Sequence, residues 1–153
     1  MSTKRDQPVL QIFDVPHGWA SDRVRPLITS SNRHHYDGLC RGHLLLPKCN
    51  SCGRTGRPAG AVCPWCLSSS REWVETSPDA LVHSVVRYHR AYLPEFEHLV
   101  PYAVVAAQMA GGPVLYGRWL VTKVVPYIGQ PILAAVEKWA DGFGSLAFQE
   151  RLS

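Results

Sequence analysis

Cys49-Asn50-Ser51-Cys52-Gly53 and, ten residues beyond the first pair, Cys63-Pro64-Trp65-Cys66 are the stretches on which the reading of this chain turns. A C-x-x-C turn presents two sulfurs to one ion from a single tight bend, and Zn²⁺ takes four thiolates at roughly 2.3 Å in a tetrahedron. Two such turns complete one cage. Gly53 can take the positive φ that lets backbone N–H groups curl back toward sulfur, and Pro64 stiffens the second turn. Four cysteines leave no open coordination position for water. The spacing therefore predicts one structural zinc ion per chain, held by Cys49, Cys52, Cys63 and Cys66.

Disulfides and a redox-active dithiol are the competing readings. Five cysteines is an odd number, and residues 1–10 carry Lys4, Arg5 and Asp6 in place of an apolar secretory core. Both features point to a reducing, cytoplasmic setting. A thioredoxin-like C-x-x-C occurs once, at a helix start after a strand, whereas a double pair in a Gly- and Pro-rich stretch points to metal.

Outward from the cysteines, 153 residues at 46% hydrophobic suffice for one real core plus a small module that needs its own staple. The most apolar stretch, residues 99–125, is broken by Pro101, Gln108, Gly111, Gly112, Pro113, Arg118 and Lys123. It offers no membrane helix, and the chain reads as soluble. The net charge of +4 is uneven: residues 1–71 hold ten Lys/Arg against four Asp/Glu, and residues 72–153 hold six against eight. A basic first half suits nucleic acid, the phosphates of a nucleotide-like cofactor or an acidic partner, or is simply a solvated surface.

Residues 1–31 contain Pro8, Pro16, Gly18 and Pro26 with isolated apolar residues such as Ile12, Phe13, Val15 and Trp19, and no sustained period. They read as an extended N-terminal arm lying on a surface of this protein or of a partner. Residues 32–75 read as a helix plus a zinc ribbon. Ser30-Ser31-Asn32 offers N-cap oxygens, and Tyr36, Leu39 and Cys40 form one apolar stripe before Gly42. Residues 76–153 turn to period two. The predicted strands are 79–90, with Val82, Val86 and Tyr88 on one face, then 102–109, 114–121, 132–139 and 146–152. Five short strands, with Gly117 at a sharp bend, suit a small OB-fold barrel; a compact sandwich is the other solution. The fold class is thus mainly β: arm and short helix, rubredoxin-like zinc ribbon, five-stranded barrel.

The search for chemistry finds no G-x-G-x-x-G, P-loop, H-E-x-x-H or G-x-S-x-G, and no residue is assigned a catalytic role. Cys40 has His34, His35 and His43 nearby in sequence and is a thiolate nucleophile on one reading, a packing residue on the other. The loop from Arg87 to Pro101 is longer than hairpin closure requires. Its Tyr88, His89, Tyr92, Leu93 and Phe96 either meet a substrate or partner or cap one end of the barrel. Aromatics interleaved with basic residues also suit single-stranded nucleic acid on an OB surface, although the strand half is net acidic.

In order, Tyr36-Asp37-Gly38-Leu39, Gly42-His43-Leu44, the C-x-x-C and C-P-x-C pairs, Trp73-Val74, the Val-His-Ser-Val-Val strand at 82–86, Pro101-Tyr102-Ala103-Val104-Val105 and Ile128-Gly129-Gln130-Pro131 resemble the family called domain of unknown function thirty-five. The resemblance spans roughly residues 33–148. Leu67 follows Cys66 where the family often has glycine, and His35-Tyr36 stands where Phe-Trp is common. The resemblance implies a non-catalytic accessory subunit in a hetero-oligomer with a thiolase-fold enzyme, or with a hotdog-fold hydratase, that processes acyl-CoA. The partner would supply nucleophile and acid/base groups. Aromatic or steroid side-chain acyl-CoA esters are the substrate subtypes it suggests, and no membrane is involved.

Overall fold

The computed structural model describes residues 9–15, 24–121 and 123–152. Trp19, Pro16 and Gly18 of the expected arm lie outside the described residues. Among the described residues, eight strands form two sheets with one α-helix beside them: β1 (Gln11–Asp14), α1 (Arg33–Cys40), β2 (Leu45–Cys49), β3 (Arg71–Glu75), β4 (Asp79–Tyr88), β5 (Tyr102–Met109), β6 (Val114–Trp119), β7 (Pro131–Lys138) and β8 (Gly144–Glu150). A 3₁₀ turn, Pro94–Leu99, lies between β4 and β5. No helix among the described residues is long and apolar enough to cross a membrane.

β4, β5, β6, β8 and β7 pair in that order, and β7 returns to β4, so the five predicted strands close into a barrel of OB type. The β6–β8 seam is parallel and the other ring pairings are antiparallel. Closure disposes of the sandwich alternative. At the seam Gly117 permits close approach: a methyl group there would lie 2.7 Å from the Leu146 carbonyl oxygen and 2.9 Å from the Phe148 ring.

One expected face is wrong. Ala80 and Val82 are buried, but the register against β5 shifts between Val82 and Ser84, and from there Val85 packs on the core while Val86 is 53% exposed. A β-bulge inserts one residue, and with a period of two that exchanges the faces of everything downstream. Strict alternation from Val82 to Val86 therefore misassigned Val86 and Tyr88.

β2 and β3 pair antiparallel as the ribbon's stem. Leu44 and Leu46, flanking and within β2, are fully buried in the same core cluster as Val105, Met109, Ile132 and Phe148 of the barrel. α1 lies across β8, β2 and β7 and buries His35, Gly38 and Leu39, with Tyr36 and Cys40 half-buried. Its cap differs from expectation. Asn32 stands at the N-cap but turns back: its Oδ1 accepts from the Thr29 N–H (2.8 Å) and its Nδ2 donates to the Leu27 carbonyl (2.9 Å).

The sequence pattern did not reveal β1. Gln11–Asp14 runs parallel to Ala135–Lys138 of β7, and Leu10, 3% exposed, enters the core beside it. The backbone N–H groups of Val9 and Leu10 both donate to the Gly42 carbonyl, which ties this segment to the end of α1.

Candidate functional site

The stem β2 ends in Cys49, so the first C-x-x-C turn begins where the strand stops. The two turns are built alike. Gly53 N–H donates to the Cys49 carbonyl and Leu67 N–H to the Cys63 carbonyl, each at 2.9 Å. The residue closing each turn sits in the left-handed region, Gly53 at φ 75° and Leu67 at φ 62°. Leu67, the departure from the family pattern, thus adopts the glycine conformation with its side chain 74% exposed.

The four sulfurs lie within 4.8 Å of one another. The Cys49–Cys66 and Cys52–Cys63 pairs are each 3.6 Å apart. All five cysteines are free thiols, and an S–S bond is about 2.05 Å, so these contacts are not disulfides. A tetrahedron with metal–sulfur distances of about 2.3 Å has edges of about 3.8 Å, and the observed spacing matches it. The donor set fits a thiophilic, four-coordinate ion with a closed shell.

The electrostatics favour a cation here. The Cys52 backbone N–H, aided by that of Ser51 and by neighbouring thiols, lowers the Cys49 pKa to about 6 against the cost of burial. Burial raises that of Cys63, but the backbone N–H groups of Cys66 and Trp65 outweigh it and the net shift is downward. Cys66 goes the other way, to about 11: the Ser68 backbone N–H lowers it, yet the adjoining Cys49, Cys63 and Cys52 and burial prevail. Crowded sulfurs resist carrying charge together unless a metal ion joins them.

The three imidazoles near Cys40 in sequence are engaged with other residues. His35 Nδ1 donates to the Leu45 carbonyl at 3.0 Å and burial lowers its pKa. His43 Nδ1 meets Glu75 Oε1 at 2.7 Å, and His34 packs on Trp73 with ring centroids 5.4 Å apart.

In the long loop, Tyr88 and Phe96 stack on Tyr102, at centroid distances of 5.0 and 5.7 Å. Tyr102 is the residue sequence reasoning missed, although Tyr88 and Tyr102 face each other in the β4–β5 register. Burial, then the neighbouring Tyr88 and Tyr92, raise its pKa. His89 is exposed, Leu93 is half-buried and Tyr92 is 77% exposed. The loop therefore divides into an aromatic stack and a projecting tip.

No protein-family model matches this chain, and no curated sequence matches it. Solved structures do. One, described as the Ltp2-ChsH2(DUF35) aldolase, superposes with a TM-score of 0.73 at 24% identity, covering 84% of this chain and 100% of that one. Another is a protein of unknown function from the DUF35 family of Sulfolobus solfataricus, with a TM-score of 0.57 at 18% identity, covering 80% of this chain and 86% of that one. With its paired cysteine turns and closed five-stranded barrel, this chain has the fold of the DUF35 family, as the resemblance in its sequence implied.

Proposed function

We propose that this chain is a zinc-binding, non-catalytic accessory subunit of a thiolase-type or related carbon–carbon lyase complex acting on acyl-CoA. The observation that carries the reading is the superposition on the whole DUF35 chain of the Ltp2-ChsH2(DUF35) aldolase, an assembly in which this fold stands beside a second component. Two features of the molecule support it. The four-thiolate set closes the coordination shell, so zinc there supplies folding free energy and not a reactive water. The histidines nearest Cys40 in sequence are occupied with structural contacts.

On this reading the partner holds the reacting groups, and this chain stabilises it and shapes its acyl and CoA site. The projecting tip at Tyr92 and Leu93, backed by Tyr88, His89 and Phe96, is the surface assigned to that contact; rigid aromatics at a tip make low-entropy anchors. Aromatic or steroid-derived acyl groups suit it.

Co-expression with the products of neighbouring genes followed by pull-down is the direct test. Capture of a thiolase-fold protein, with one zinc per chain by elemental analysis, is the expected result. Carbon–carbon cleavage by the purified chain alone would overturn the accessory role. Salt-sensitive binding to a single-stranded oligonucleotide without enzyme capture would favour a nucleic-acid-binding OB protein instead.

A further inference from the structure

β4 is paired along one side for nearly its whole length and along the other only at its start. From Ala80 to Tyr88 it runs against β5, but β7 takes only Asp79, Ala80 and Leu81. Val82 then donates to the Gln130 carbonyl at 3.0 Å and accepts from the Gly129 N–H at 2.8 Å. Among the described residues, no strand pairs with that second edge from His83 to Tyr88. An unpaired strand edge turns N–H and C=O groups outward and is a template for one more strand.

The surroundings of this edge are apolar. Val124, Tyr127 and Ile128 of the loop that holds Val82 are exposed, as are Leu81 and Val86 of β4. Arg87 lines an open hollow of about 500 Å³ whose walls include Leu99, Tyr102, Trp119, Val121 and Val125. The walls are fixed: Trp119 Nε1 donates to the Val124 carbonyl at 2.9 Å, and Tyr88 and Phe96 stack on Tyr102. Side chains of an added strand alternate in direction, so one apolar residue can enter such a hollow while its neighbours face away.

Charge selects the occupant. Residues 80–94 and 119–131 hold Arg87, Arg90 and Lys123, with His83 and His89, and no Asp or Glu. All five are exposed, and among the described residues none of them forms an ion pair. A second copy laid antiparallel on β4 would bring Arg87 and Arg90 against their own kind, and like charges across a strand pair destabilise it. Cations along an edge discourage self-pairing for the same reason. Nucleic acid would use the charges but neither the backbone edge nor the apolar wall. An extended segment that is apolar at its centre and acidic at its flanks uses all three.

We propose that residues 83–88 of β4 accept such a segment from a partner protein as an added strand, its backbone pairing with the open edge, one apolar side chain entering the hollow beside Trp119 and its flanking carboxylates meeting Arg87 and Arg90. The source of the segment rests on the accessory-subunit reading above, and the added strand continues the contact assigned to the tip at Tyr92.

Fluorescence anisotropy of labelled peptides, titrated with the purified, zinc-loaded chain, tests this site. The probes are EDVTVTVDE, its lysine-flanked counterpart KKVTVTVKK, and two forms of the first N-methylated at alternate residues so that each blocks one edge. The acidic peptide should bind saturably, and the lysine form at least about tenfold more weakly, by a margin that shrinks with salt. Methylation should abolish binding on one edge and spare it on the other, because an added strand pairs along one side. R87E/R90E should reverse the preference between the acidic and lysine peptides; should that variant not fold, the two methylated forms on the wild type still decide. Absence of saturable binding by the acidic peptide, equal effects of the two methylation patterns, tighter binding of a single-stranded oligonucleotide, or a homodimer that the peptide dissociates overturns the site. Partner capture on co-expression is read separately. Peptide binding without capture leaves the edge and removes the accessory role, whereas capture unchanged in R87E/R90E with no peptide binding removes the edge alone.

Discussion

Leu67 and Gly53 hold equivalent positions in the two cysteine turns, yet only one of them is glycine. A β-substituted residue in the left-handed region costs about 1 kcal/mol or more, and the Leu67 side chain, being largely exposed, recovers little of that by packing. Leu67→Gly should raise stability by about 1 kcal/mol in urea denaturation and leave zinc content unchanged. Gly117 is the opposite case. Its φ is unremarkable, but a Cβ there strikes backbone and an aromatic ring across the parallel seam, so Gly117→Ala should cost about 2 kcal/mol by overpacking. His35 adds a pH dependence. Burial lowers its pKa from 6.5 and the neutral ring donates to Leu45. The folded state therefore resists the proton that the unfolded chain accepts. Its contribution is present above pH 6.5 and is lost as pH falls through the lower folded value. Denaturation of wild type and His35→Gln between pH 5 and 8 should show the steeper acid loss in the wild type.

Along single elements, the sequence was legible wherever local pattern and tertiary role agreed. The four cysteines announce their own geometry, and the strands from Asp79 to Glu150 follow alternation bounded by Gly and Pro. It was less legible where one residue resets the pattern, as the bulge at His83 does for Val85 and Val86. The aromatic stack was half visible: Tyr88 and Phe96 stood out in the loop, while Tyr102 looked like an ordinary strand residue. Glu137 carried no signal either. It ends an apolar run in β7, is 2% exposed, and pairs with Arg118 of β6. Removing one member of a buried pair strands the other's charge, so Glu137→Ala should destabilise by about 3 kcal/mol. Glu137→Ala combined with Arg118→Met should recover much of the loss in a double-mutant cycle.

At the scale of the molecule, ribbon and barrel share one hydrophobic core through Leu39, Leu44 and Leu46, and Leu10 enters it from the N-terminal segment. Leu10→Ala should therefore cost about 2–3 kcal/mol, as for a buried core leucine, and not the near-zero expected of a loose arm. The pairing of β1 carries a further consequence. β7 gives its residues 131–133 to β4 and 135–138 to β1, so the barrel's own ring leaves the second half of that border uncovered. Backbone donors and acceptors left open along a sheet border invite another chain to add a strand. The four residues of β1 are thus a sacrificial selvedge: they occupy the border with a strand too short and too polar to be extended in turn. A chain lacking residues 1–14 should lose solubility through intermolecular strand addition, seen as concentration-dependent growth in light scattering at temperatures where its barrel still shows native circular dichroism.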